Sequence, residues 1–560
     1  MNNEKYISYL NSLHNYNAQN SNAYGEKNVN SEFFPKIAVK VGLCNFIEKY
    51  LKEKEPHVLI LTGHAGDGKT SIMYQVLKDF GINFNVSEKI SDITLPKGKV
   101  CRCIKDYSEL NDEEKLRILK DSIDFPKEDK FVFMVSNTGP LINTFSKLFE
   151  EKDKENAIID LVEAIDENSG EIRNIHGYKI CVVNVAAVDN TSFAVSLVNN
   201  LIKDDLWEKC KSCDKCSYCH IYQNRNLILQ NRQRVNEFLK HHYIWLVEHG
   251  IRLTVRSITE QLSYMLTGGF NCEQVSSLYK VKMLFFNLFF GYIGLKFNER
   301  ANSIQAIRES KKCAYDKKRL RVDEMLFVKC NYSELFGKEI SEIIVEASKN
   351  DIFISGWQEF LRRAYIFTNI QTFSFETDCE DIFSKQFKRF IDIRDGKVTP
   401  SKIDTNLIID ALSMMYLGKL GNSSDDIPLT LNKDNGLSQN VQLVTGYIPT
   451  RRLMLTSKVT KDETFDNENK RYELILMVNG KPLKSHITLP MLNYFEDLRN
   501  GIIPTNIDPQ LSHGVETLKA QLSKNLDESD NQTIEIIVLR NDVNKHYNLV
   551  LSDDNEIELV

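Results

Sequence analysis

Residues 58–81 constrain the fold of this 560-residue chain more than any other stretch. Val58–Thr62 (VLILT) is a continuous apolar run of strand length, the pattern of a strand buried on both faces of a parallel sheet. Gly63-His64-Ala65-Gly66-Asp67-Gly68-Lys69-Thr70 follows at once. Beyond it Ile72, Met73, Val76, Leu77 and Phe80 recur at helical spacing, and Gly81 closes the helix. The loop matches G-x4-G-K-[ST] in full. Its glycines let the backbone curl so that successive N–H groups point at one anion, and the helix N-terminus adds partial positive charge. Lys69 is placed to reach the β and γ phosphates of a nucleotide, and Thr70 to offer a hydroxyl to Mg²⁺. Gly63, Gly66, Asp67, Gly68, Lys69, Thr70 and Ser71 are the candidate nucleotide-binding residues. The bland alternative is a chance glycine turn. The buried strand before the loop and the amphipathic helix after it count against that.

The alternation continues. VCRCI (100–104), FVFMVS (131–136) and ICVVNV (180–185) read as further strands, separated by charged helical segments at 111–121 and 154–166. Strands alternating with helices imply a parallel α/β sheet. The expected fold class is an α/β P-loop NTPase core over 56–195, with a helical lid region over 196–425 and a C-terminal α+β, β-rich domain over 440–560. A helical extension over 1–55 precedes the core, its first 30 residues reading as weakly ordered. In the lid region Val235, Phe238, Leu239, Tyr243 and Leu246 make one amphipathic face, and Ser257 with Glu260 reads as a capping box. Near the C-terminus Asn479-Gly480 is a hairpin signal after RYELILMV.

Composition excludes some classes. Net charge is −6, so any surface for DNA must be a local patch. No segment reaches the roughly 18–20 apolar residues that span a bilayer. The richest run, Met283 to Phe297, is interrupted by Asn287 and reads as a buried helix. The polar N-terminus has no signal-peptide pattern, so the expected compartment is the cytoplasm, with no membrane partner. The 12 cysteines are then expected to be reduced.

A Mg²⁺ ligand belongs at the end of a strand beside the loop. Asp106, just past VCRCI, is the candidate, sharing the ion with Thr70. Glu109, three residues on, is the candidate to polarise an attacking water. Lys105 precedes Asp106 and the two acids are separated, which departs from the usual hhhhDE pattern; the bland reading of Asp106 is an N-cap.

Cys210, Cys213, Cys216 and Cys219 form C-x2-C-x2-C-x2-C, followed by His220. Thiolates at this spacing can converge on one ion, and four soft ligands suit a tetrahedral zinc that staples the lid to the core. A four-iron cluster is the alternative, although the familiar run ends with x3 and a proline. Four unligated thiols are the bland one. Arg308, Lys311, Lys312, Lys317, Lys318, Arg319 and Arg321 crowd into fourteen residues. They read as a solvated charged face, with phosphate contact to DNA as the functional reading.

The order of Walker A loop, acid-ended strand, a strand ending in Asn137 and a helical region resembles the AAA+ superfamily. More narrowly, G-x-x-G-D-G-K, N-T-G after the strand 131–136 and L-T-V-R-S before a lid helix are similar to ATPases of prokaryotic defence islands. They resemble in particular the ATPase (F) component of DNA phosphorothioation-dependent restriction. The resemblance covers residues 55–290. It implies ATP hydrolysis with Lys69, Asp106 and Glu109 in the site. It also implies Asn137 orienting the water, Arg173 as a finger reaching a neighbouring subunit, and Arg256 as a lid sensor. Arg362 and Arg363 are further finger candidates. The implied partners are further copies of the chain and other defence proteins, acting in restriction of foreign DNA. A nucleotide-gated sensor or scaffold with slow turnover is the alternative.

Overall fold

The computed structural model describes residues 3–14, 31–82, 88–188, 191–351, 355–369, 375–418, 420, 426–431, 441–460, 471–504, 506–524, 533–540, 543–551 and 557–559. The chain forms two compact units that meet in sequence between Ile382 and Phe383.

The first unit is built on six strands: β1 (Val58–Thr62), β2 (Ile90–Thr94), β3 (Val100–Ile104), β4 (Phe131–Val135), β5 (Arg173–Ile175) and β6 (Tyr178–Asn184), in the order β2-β3-β4-β1-β6-β5. The four inner strands are parallel, and the edges β2 and β5 run antiparallel to their neighbours. All five residues of β1 are buried because both faces of the sheet are covered. Leu59 and Leu61 pack on one side with Leu43, Ile47, Met73 and Val76. Val58 and Ile60 pack on the other with Leu141, Phe145 and Leu161. Each such side chain contributes about 1.5–3 kcal/mol on burial. This two-sided covering makes the run apolar throughout instead of alternating. The register levels the strand ends: Leu61 pairs with Val135, Thr62 with Asn184, and Ile104 with Met134. Loops leaving the carboxyl ends of β1, β3 and β4 therefore meet at one edge, where ligands of open α/β sheets bind.

Helices of this unit include α1 (Glu4–Ser12), α2 (Lys69–Asp79), α3 (Thr138–Ser146), α4 (Asp204–Lys211), α5 (His220–Gln230) and α6 (Val255–Thr267). The N-terminus departs from the expected weak order. α1 buries Tyr6 and Leu10 completely. Tyr6 Oη donates to the Leu201 carbonyl at 2.8 Å, and Asn3 Nδ2 to that of Leu206 at 2.7 Å. The rest of the expected weakly ordered stretch, 15–30, lies outside the described residues. α6 also starts earlier than its expected capping box. Its N-cap is Thr254, whose hydroxyl accepts from Ser257 N at 3.1 Å. The apolar run 283–297 is buried at Met283 through Phe290, but only Phe285–Leu288 is helical before a two-strand turn. Among the described residues no helix is long and apolar enough to cross a membrane.

The second unit begins earlier than the expected β-rich domain. Helix α7 (Lys402–Leu417) buries Leu407, Ile408 and Leu412 and belongs with the C-terminal strands. Thr405 Oγ1 on it accepts from Leu455 N at 3.1 Å. Its apolar positions run almost all the way round the helix because strands cover it too. Those strands are β7 (Ile427–Leu431), β8 (Val441–Ile448), β9 (Leu453–Val459), β10 (Tyr472–Val478), β11 (Lys481–Ile487), β12 (Thr533–Arg540), β13 (Val543–Leu551) and β14 (Ile557–Leu559). They form an antiparallel sheet β14-β13-β12-β8-β7 and another, β9-β10-β11. Asn479 and Gly480 turn β10 into β11 with φ of 52° and 76°, the two left-handed residues of a tight hairpin.

Candidate functional site

The loop between β1 and α2 carries strain that only glycine tolerates. At Gly63, φ is +143° and a Cβ would stand 2.9 Å from Asp67 Oδ2. At Gly66, φ is +90° and a Cβ would stand 3.1 Å from Thr254 Oγ1. The loop is held from within and from the lid. Asp67, fully buried, accepts from His64 N at 2.7 Å through Oδ2, and from Arg252 Nη2 at 3.1 Å through Oδ1. Arg252 also donates to the Val185 carbonyl at 3.3 Å, and Arg256 N donates to the Gly66 carbonyl at 3.1 Å. The Arg256 backbone and the Arg252 side chain thus buttress the loop.

The predicted residues of β3, β4 and α2 converge. Lys69 Nζ donates to the His64 carbonyl at 2.6 Å and to Asn137 Oδ1 at 3.0 Å. Burial pulls the Lys69 pKa below its usual value, against the pull of Asp67 and Asp106. Thr70 Oγ1 donates to Asp106 Oδ1 at 3.3 Å. Asp106 has a left-handed backbone (φ 52°), which an aspartate tolerates better than most residues, and its side chain makes no cap. The helix at 112–123 is capped instead by Asn111. Lys105, its side chain 1% exposed, sits with Nζ 3.5 Å from Asp106 Oδ2 and explains the departure from hhhhDE: the cation lies behind the acid. Asn137 N donates to Ser108 Oγ at 2.7 Å, and its side chain faces Lys69 and leaves the α3 N-terminus uncapped. Glu109 is exposed on the turn after Asp106.

These groups share one cavity of about 490 Å³, lined by Gly66 to Ser71, Asp106, Glu109, Asn137 and Arg256 among others. Its size suits a small-molecule site. Tyr9 and Leu13 of the N-terminal segment, Phe34, Val39 and Gln75 form further wall. So does Glu260, whose carboxyl is pushed up to about 7 by burial, against the pull of Arg256. Arg252 and Glu260 are the residues the sequence reading missed as site members. Each lies four residues from Arg256, Arg252 ahead of the α6 N-cap and Glu260 on the helix itself.

Arg173 is not brought to this cavity within the chain. It pairs with Ile180 at the amino end of β6, opposite the loop, and is ion-paired with Glu167. Arg362 and Arg363 do not line this cavity and are held by other partners. Arg362 grips Asp323 with two bonds, at 3.1 and 2.7 Å. Arg363 is fully buried against Asp316 at 2.5 Å and Asn287 at 2.9 Å. The basic segment is partly ion-paired within the chain. Arg321 pairs with Asp381 and Glu380, Lys312 with Glu309, and Lys318 donates to the Ile382 carbonyl.

The four clustered cysteines line a second cavity, of about 240 Å³. Cys210 ends α4, Cys213 and Cys216 follow on successive turns, and Cys219 caps α5, accepting from Tyr222 N at 3.5 Å. Cys272, from a distant loop, lines the same cavity and was not anticipated. Among the described residues no three His, Cys, Asp or Glu side chains form a ready-made site for a metal ion. His220 lies apart, its Nε2 at 3.4 Å from the Thr267 carbonyl. Burial pushes the thiol of Cys210 up to about 11 and that of Cys272 up to about 12, so a metal there must displace protons.

No family model, no curated protein and no solved structure matches the chain.

Proposed function

We propose that the chain is an AAA+-type P-loop ATPase that binds ATP with Mg²⁺ and hydrolyses it. One observation carries this reading: Lys69, Thr70, Asp106 and Asn137, drawn from three strand ends, meet in one cavity at the carboxyl edge of a parallel sheet. The glycine loop would cradle the phosphates with backbone N–H groups. Lys69 would exchange the His64 carbonyl for phosphate oxygens. Thr70 and Asp106 are the residues that would hold Mg²⁺, which polarises the phosphoryl oxygens when bound. Asn137, beside the Lys69 ammonium, would orient a water that Glu109 would polarise. The arrangement offers positioning and charge stabilisation, which is what phosphoryl transfer requires of a protein.

The proposed setting, restriction of foreign DNA with partner proteins and further copies of the chain, rests on the resemblance of 55–290 to defence-island ATPases. Measuring ATP hydrolysis by the purified chain, with and without DNA, tests both parts. Mg²⁺-dependent phosphate release supports the ATPase. Stimulation by DNA supports the setting, and no ATP binding by folded protein overturns the reading.

A further inference from the structure

Two cavities share one helix. Asn3 and Ile7 line the thiol cavity. Tyr9 lies on the same helix and lines the nucleotide cavity, as does Leu13 just beyond it. α1 is therefore a common wall. We infer that the thiol cavity holds a four-iron, four-sulfide cluster with Cys272 as one ligand, and that this cluster seats α1 against the nucleotide cavity. The coupling half of this inference rests on the nucleotide reading above; the cluster half does not.

Three observations carry it. The first is ligand pattern. A C-x2-C-x2-C run supplies three corners of one cube and takes its fourth ligand from elsewhere in the chain. Here Cys213, Cys216 and Cys219 make such a run, and Cys272 arrives from a loop more than fifty residues away to line the same cavity. That loop is tied to the run: Lys215 Nζ donates to the Cys272 carbonyl at 3.1 Å and to the Glu273 carbonyl at 3.3 Å.

The second is size. A tetrahedral zinc sits about 2.3 Å from each sulfur and draws its four ligands into mutual contact. Five thiols line a cavity of about 240 Å³ whose wall Asn3, Ile7, Tyr222 and Val275 help to complete, which leaves room for a larger group. That space equals roughly eight water volumes.

The third is charge. A thiolate-bound cluster is anionic, and the N-terminus of α5 faces it through the Tyr222 N–H on Cys219 Sγ. Lys215 lines the cavity beside Asp214, and Glu4 lies against Cys272.

The seat on α1 follows from contacts at its first turn. Asn3 donates to the Leu206 carbonyl on α4, the helix that ends in Cys210. Tyr6 packs edge-on against Trp207 of the same helix at 5.6 Å between centroids. A cluster that fixes the α4–α5 turn thus fixes the bed of α1, and with it Tyr9 in the nucleotide wall.

The test is made on full-length protein purified without oxygen or chelator. Iron and acid-labile sulfide of about four each per chain, with broad visible absorbance, are expected. One zinc per chain without iron, or no metal, overturns the cluster. Cys272→Ser should lose the absorbance, while Cys330→Ser, at an exposed thiol elsewhere, should keep it. Full iron in Cys272→Ser removes that ligand from the inference. If Cys272→Ser does not fold, the wild-type iron and sulfide content still decides. Calorimetry with a non-hydrolysable ATP analogue, before and after anaerobic removal of iron, reads the coupling. At least about fivefold weaker binding is expected, and unchanged affinity overturns the coupling. Loaded protein that binds no analogue at all counts against the nucleotide reading and leaves the iron content to judge the cluster.

Discussion

Asp106 shows how much of the site rests on single groups. A hard cation needs a carboxylate where an amide oxygen is too weak, so Asp106→Asn is expected to cut Mg²⁺-dependent turnover by at least about 100-fold. Steady-state phosphate release checks this, and near-normal turnover would move the metal role to another acid. Glu260 adds a pH signature. Its folded pKa of about 7 lies above the ordinary 4.5, so the folded state holds more protons between these values. Its contribution to stability is then full below about pH 4.5 and is lost as pH rises through 7. Above pH 7 the ionised carboxylate also puts negative charge on the wall of the cavity. ATP should therefore bind several-fold more weakly at pH 8 than at pH 6.5 in the wild type, and Glu260→Gln should flatten the difference. Nucleotide titration is common to both proteins, so comparing them isolates Glu260. Lys69, Thr70, Asp106 and Asn137 were legible in the sequence because each sits at a fixed offset from an apolar run. Arg252 was not, since its partner Asp67 lies 185 positions away. Cys272 was missed for the same reason: spacing reports only on neighbours.

The 63–70 loop and the start of α6 are tied together. Asp67 is fully buried and its Arg252 partner is one-third exposed. Arg252→Ala leaves that carboxylate without its cation. A fully buried pair would lose about 3–5 kcal/mol; solvent screening at Arg252 reduces this to about 1–2 kcal/mol. Urea unfolding measures it, and a double-mutant cycle with Asp67→Asn should show the two changes to be non-additive. Additive effects would mean that the bridge couples nothing. Among elements, β1, β4 and β6 were legible because burial on both faces writes a continuous apolar run, and β3 because VCRCI is apolar but for Arg102. The edge strands β2 and β5 were not. β2 alternates half-buried and exposed residues around Asp92, and β5 is three residues long. α1 was hidden in a polar, Asn-rich stretch because its buried face is made of tyrosines as well as Leu10. α7 was assigned to the lid because periodicity reports a helix and not its neighbours.

At the scale of the whole molecule, Arg173, Arg362 and Arg363 all have partners away from the 63–70 loop of their own chain. Arg173 lies at the amino end of the sheet, away from its own loop, so it can serve a nucleotide only in another copy. ATP is therefore expected to drive self-association, with Arg173→Ala assembling but turning over at least about tenfold more slowly. Light scattering with and without ATP reads the first part, and full activity from a monomer would contradict it. The central claim is that the 63–70 loop binds and spends ATP. Its most direct test compares ATP binding and phosphate release by wild type and Lys69→Ala, each shown folded by circular dichroism. Binding and Mg²⁺-dependent release in the wild type, both lost in Lys69→Ala, are the predicted result. Equal activity in the two proteins, or a folded wild type that binds no ATP, would contradict the account.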